Sequence, residues 1–170
     1  MIIIIMGVSG AGKSTIGKLL AKYLNWDFFD GDSFHSQANI KKMSSGIPLN
    51  DADRIPWLIE MRNAIEQWLA ENQNIILACS ALKKAYRHIL ITNPQNIKIV
   101  YLKGSFDLFA QRLRARKNHF MKLEMLQSQF DVLEEPKQAI IVDAAKSPEE
   151  IVNYIIQKLC IVEFLDSNCI

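Results

Sequence analysis

The residues with the most specific chemistry stand near the start of the chain. Gly7-Val8-Ser9-Gly10-Ala11-Gly12-Lys13-Ser14 matches the G-x-x-x-x-G-K-[ST] phosphate loop at every fixed position. Its glycines let the backbone turn tightly and bring N–H groups against phosphate, with Val8, Ser9, Ala11 and Thr15 completing the cradle. Lys13 supplies a compact positive charge for the β- and γ-phosphates, and Ser14 a hydroxyl for Mg²⁺. The spacing alone says that a nucleotide is gripped. What reads or receives its phosphate must come from elsewhere in the chain.

Asp30-Gly31-Asp32 is the next candidate. Two carboxylates at i and i+2 past a strand end can divide the work of phosphoryl transfer. One holds Mg²⁺ or its water, and the other contacts an acceptor hydroxyl. The same triplet also suits a plain Asx turn. His35 either hydrogen-bonds a polyhydroxylated substrate or caps the helix behind it, and Arg54, within Asn50–Arg54, suits an anionic substrate. Lys83, Lys84 and Arg87 form a cation cluster fit for carboxylate or phosphate, or an ordinary basic helix face. Arg112–Lys122 holds five cations and no acidic residue, with Arg112 and Arg116 on one helix face. That pattern reads as a lid carrying arginines over a transferring phosphoryl group, or as a solvated basic helix. Cys79 reads as a small core hydrophobe standing where a Walker B aspartate is usual. Asp30 is therefore taken as the metal partner, and Asp143 as structural or adenine-side.

These residues need a scaffold, and the patterning supplies one. Ile2–Met6 is a β-branched run suited to a strand buried on both faces, and Ile16, Leu19, Leu20, Tyr23 and Leu24 mark one face of the helix after it. Further strands are expected at 26–30, 74–79, 97–102 and 139–142. Helices are expected around 33–45, from Pro56 as a first-turn proline, through Tyr86 and Arg87, from the Ser105 cap, and from the capping box Ser147-Pro148-Glu149-Glu150. About five strand–helix alternations predict an α/β fold with a parallel sheet covered on both faces. Ligands then gather at the carboxyl ends of the strands, so the phosphate loop, 30–35, 79–84 and 103–105 should share one rim.

At 170 residues the chain suits a single domain, 1–170, with 49% apolar and 22% charged residues. A net charge of +2 and the lack of exposed interleaved aromatics argue against a nucleic-acid partner. Cys79, Cys160 and Cys169 share no metal-ligand spacing. Neither a signal peptide nor a membrane-length apolar run is seen, which predicts a cytoplasmic protein with no membrane partner. A guanine-reading N-K-x-D and a D-x-x-G switch are both missing, against a nucleotide-binding switch.

Taken together, MGVSGAGKST at 6–15, DGDSFH at 30–35, GIPLNDADRIPWL at 46–58, ACSALKKAYR at 78–87, RARKNHF at 114–120 and LQSQFDVLEEP at 126–136 resemble the gluconokinases. These are small phosphate-loop enzymes of the shikimate-kinase and nucleoside-monophosphate-kinase type. The resemblance implies a three-layer α/β/α P-loop kinase fold with a mobile lid at about 112–136. It implies ATP- and Mg²⁺-dependent phosphorylation of the C6 hydroxyl of D-gluconate by a cytoplasmic, often homodimeric enzyme. Lys13, Asp32 and Arg116 would be catalytic, with Arg112 joining residues 7–15 on the nucleotide. Ser14 and Asp30 would hold the metal, and Asp32, His35, Arg54, Lys83, Lys84 and Arg87 the substrate. A kinase for another small anionic acceptor, such as shikimate, is the nearest alternative. Two positions depart from the family pattern: Ser36 stands for the usual proline, and Asn118 for the glycine of the lid.

Overall fold

Five strands form one parallel sheet in the order β2-β3-β1-β4-β5, so all their carboxyl ends open on a single rim. The computed structural model describes residues 1–115 and 123–159. β1 (Ile2–Met6) lies at the centre, paired from Ile2 with both Ile75 of β3 (Ile75–Ala78) and Ile97 of β4 (Ile97–Lys103). The edges are β2 (Asp27–Asp30), paired with β3, and β5 (Ile140–Asp143), paired with β4.

Side chains of a strand alternate between faces, and β1 feeds two cores. Ile3 and Ile5 pack with α1 (Lys13–Leu24), α5 (Phe106–Ala115), α6 (Leu123–Asp131) and α7 (Pro148–Leu159). Ile2, Ile4 and Met6 pack with α3 (Asp51–Ala70) and α4 (Lys84–Leu90). With both faces covered, β1 has no use for polar positions, which explains its unbroken apolar run. No helix among the described residues is long and apolar enough to cross a membrane.

Several local readings are met and two are corrected. Ser147 and Glu150 form the expected reciprocal cap of α7, and the Ser105 hydroxyl accepts from Leu108 N at 3.2 Å. Ser36, where the family pattern has proline, caps α2 (Gln37–Ser44) by accepting from Asn39 N. Tyr23 is exposed on α1, and Ala21 takes the inward position instead. Pro56 is interior to α3 rather than in its first turn, because Asn50 and Asp53 build a capping box that starts the helix at Asp51. Within the stretch expected as a lid, 112–136, α6 is seated on the core: Leu126 is fully buried, and Phe130 meets Phe106 and Phe109.

Candidate functional site

The phosphate loop leaves β1 and turns into α1 through glycines in conformations closed to other residues. Gly10 has φ +81°, and a Cβ there would lie 2.9 Å from the Phe109 carbonyl oxygen; Gly12 has φ +96° where α1 begins. The loop therefore sits between a helix N-terminus and α5. Lys13 Nζ donates to the Val8 carbonyl at 3.1 Å, folding its ammonium back over the loop.

The adjacent β3 ends at Ala78, and β2 beside it delivers Asp30 to the same rim. Ser14 Oγ donates to Asp30 Oδ2 at 2.7 Å, joining the two residues expected to hold the metal. Octahedral Mg²⁺ places neighbouring oxygen ligands about 2.9 Å apart, so this pair suits two adjacent coordination positions. No group of three or more His, Cys, Asp or Glu among the described residues could hold a metal. The glycine-formed cradle and this oxygen pair fit a Mg²⁺–nucleotide.

Asp30 also shapes the turn that follows it. Its Oδ1 accepts from Asp32 N at 3.1 Å and its carbonyl from Ser33 Oγ at 2.6 Å, forming a 3-10 turn over Gly31–Phe34. From α3, Trp57 Nε1 donates to the Gly31 carbonyl at 2.7 Å. The turn is thus pinned from both ends while Asp32 is left exposed to the cleft. His35 stacks on Trp57 with ring centroids 4.3 Å apart, and its Nδ1 is buried without a hydrogen-bond partner among the described residues.

Burial holds the His35 imidazole below the ordinary histidine range; nearby Asp32 opposes this shift and Arg54 adds to it. The unfolded chain, with its histidine near 6.5, takes up the proton first, so this contribution to stability is lost as pH falls below that value. Melting curves between about pH 7.5 and 5 should show the wild type losing more Tm than His35→Gln. Parallel curves for the two proteins would remove His35 as the source.

One cleft of about 400 Å³ collects Ser9, Gly10, Gly12, Lys13, Ser14 and Thr15 on one wall. Asp30, Asp32, His35 and Arg54 face them. Arg54 reaches the cleft from the first turns of α3, its guanidinium carbon 6.0 Å from the centre of the Tyr86 ring. Across the loop, a second cavity of about 300 Å³ is lined by Gly10, Thr15, Arg112, Ala144 and Pro148, and Arg112 Nη2 donates to the Ala144 carbonyl. Asp143 caps the turn beneath it, accepting from Ala145 N at 2.9 Å.

Three expected substrate cations lie off this cleft. Lys83 forms an ion pair with Asp51 at 2.7 Å, and Tyr86 OH donates to the same carboxylate, holding it below the usual carboxylate range. Lys84 opens α4, its backbone N donating to the Glu134 carboxylate. Arg87 is buried, with Nη1 donating to the carbonyls of Ala81 and Leu82. None of the three lines the cleft. Lys103, at the end of β4, is likewise taken by Glu135 at 2.8 Å. Cys79 is buried and its thiol pushed up to about 12, mainly by desolvation, as a core residue should be. Arg116 and Asn118 lie outside the described residues.

The reading of the residues missed Trp57 and Gln129, which line the cleft, as does Ser80 from the 79–84 stretch expected on the rim. Gln129 belongs to the 126–136 string that carried the resemblance, yet nothing in its spacing points to Ser9, 120 residues away.

Comparisons with known proteins place this geometry. A family model described as shikimate kinase matches residues 9–160. A probable gluconokinase of Mus musculus is 44% identical, covering 93% of this chain and 97% of that protein. The thermoresistant gluconokinase of Escherichia coli is also 44% identical, covering 89% of each. The chain belongs to the gluconokinase family. Among solved structures, a gluconokinase from Sinorhizobium meliloti covers 99% of this chain and 97% of its own at 39% identity, with a TM-score of 0.83. A shikimate kinase from Aquifex aeolicus, at 23% identity and a TM-score of 0.58, shares the P-loop kinase fold. Gluconokinase-family membership therefore rests on near full-length similarity, beyond the phosphate loop.

Proposed function

We propose that this chain transfers the terminal phosphoryl group of ATP to the C6 hydroxyl of D-gluconate, giving 6-phospho-D-gluconate and ADP. The observation that carries the proposal is the cleft in which Asp32 and Arg54 face Lys13 and Ser14. An acceptor lying there has a carboxylate near the rigid turn, a cation beside it, and the phosphate loop opposite.

Each residue then has a role. The loop's N–H groups and Lys13 hold the phosphates and meet the charge that develops during transfer. Ser14 and Asp30 hold Mg²⁺, which neutralises phosphate charge when bound. Asp32 orients the 6-hydroxyl and accepts its proton as oxygen bonds to phosphorus and the bond to the ADP oxygen breaks. Arg54 pairs with the acceptor's carboxylate, and His35 and Trp57 form the wall along its hydroxyls. Arg112 and the second cavity serve the adenine side, and Arg116 approaches the transferred group from the lid. The proposal carries with it a cytoplasmic location and pairing into a homodimer.

Loss of Arg54 tests the acceptor site apart from the chemistry. A charge-assisted hydrogen bond is worth roughly 10–100-fold in affinity, so Arg54→Ala should raise KM for gluconate by about tenfold or more, with KM for ATP nearly unchanged. Steady-state kinetics with each substrate varied in turn measures this. Equal changes in both constants would take Arg54 off the acceptor.

A further inference from the structure

Gln129 occupies the phosphate loop in a way that the roles above leave unused. Its Oε1 accepts from Ser9 N at 2.7 Å, and its Nε2 donates to Ser9 Oγ at 3.3 Å. The peptide unit between Val8 and Ser9 is thus held at both ends: its carbonyl by Lys13 Nζ at 3.1 Å, its N–H by Gln129. Since that lysine serves the β- and γ-phosphates, the Ser9 N–H lies at the terminal-phosphate end of the loop. Gln129 comes from α6, whose position is fixed on two sides. Leu126 is fully buried beneath it. Beyond its last turn, Glu134 N donates to the Leu82 carbonyl at 3.0 Å, and Glu135 pairs with Lys103.

We propose that Gln129 reads the terminal phosphate, distinguishing a nucleoside triphosphate from a diphosphate. An amide can accept from the loop and donate to phosphate at the same time. Its oxygen satisfies the Ser9 N–H, which is otherwise an open anion-binding donor. With a triphosphate bound, Nε2, which has a second hydrogen besides the one given to Ser9 Oγ, donates to a terminal phosphoryl oxygen while Oε1 stays on the Ser9 N–H. Met125 and Ser128 of the same helix line the cleft that also holds Asp32 and Arg54.

This rests on the reading of the loop as a nucleotide site, and binding without an acceptor separates the two. Calorimetric titration of ADP and of a non-hydrolysable ATP analogue, with Mg²⁺, is compared for wild type, Gln129→Glu and Gln129→Leu. Glutamate keeps the size and the acceptor for Ser9 N but cannot donate and repels phosphate. The analogue should therefore bind Gln129→Glu at least about tenfold more weakly, while ADP changes less than about threefold. Gln129→Leu should lose the same preference by a smaller factor, and it decides the matter if the glutamate variant does not fold. Equal weakening of both nucleotides in the variants, or no change in their ratio, overturns the inference and leaves Gln129 as a packing residue. A wild type that binds neither nucleotide overturns the nucleotide reading itself.

Discussion

Asp32→Ala is expected to lower kcat by ~10²-fold or more while KM for ATP stays within a few-fold of wild type. The expectation follows from where the side chain is held. Asp30, Ser33 and Trp57 fix the turn through hydrogen bonds of 2.6–3.1 Å to its backbone and side chains, and none of these bonds uses the Asp32 carboxylate. Removing that carboxylate should leave the turn standing and take away only the group that orients the hydroxyl and accepts its proton. A general base contributes about 10²–10⁴-fold, which sets the scale. Coupled ADP detection measures the loss, and an unchanged melting temperature shows that the turn survived. Near-normal turnover would withdraw the proton-accepting role from Asp32.

Lys13→Ala is expected to reduce turnover by a similar or larger factor, and to abolish most of the thermal stabilisation that ATP gives the wild type. Here the loss falls on nucleotide binding as well as on the transition state. The ammonium lies over the loop, bonded to Val8, where charge accumulates on the transferring group. Lys13→Arg should not restore activity, because a planar fork cannot take the place of a compact point charge between loop and phosphate. A thermal-shift titration with ATP and a kcat measurement on the same preparations decide this. Full ATP stabilisation of Lys13→Ala would contradict the assignment of the loop.

Much of this site is legible in the chain because its parts are local. A strand, a glycine loop and a helix that follow one another must sit together, and Asp30 comes at the end of the next strand. That the Ser14 and Asp30 oxygens lie 2.7 Å apart is a consequence of β2 and β1 flanking β3 in one parallel sheet. The cations after β3 were not legible for the opposite reason. Whether Lys83 faces a substrate or Asp51 is decided by the first residue of α3, 32 residues away. Arg87 was drawn inward by carbonyls of its own loop, which an amphipathic count does not reveal. The start of α3 was misplaced because Pro56 is a strong signal, yet the Asn50–Asp53 capping box begins the helix earlier. Gln129 and Trp57 reach the site only through tertiary packing of α6 and α3, so no spacing in the sequence announces them.

The most direct measurement is a panel of acceptors assayed with wild-type protein, ATP and Mg²⁺, with ADP release as the readout and the phosphorylated carbon assigned on the product. D-gluconate should support ADP release well above every other sugar acid and above shikimate, with the new phosphate on C6. Turnover with shikimate and none with gluconate would contradict the proposed function.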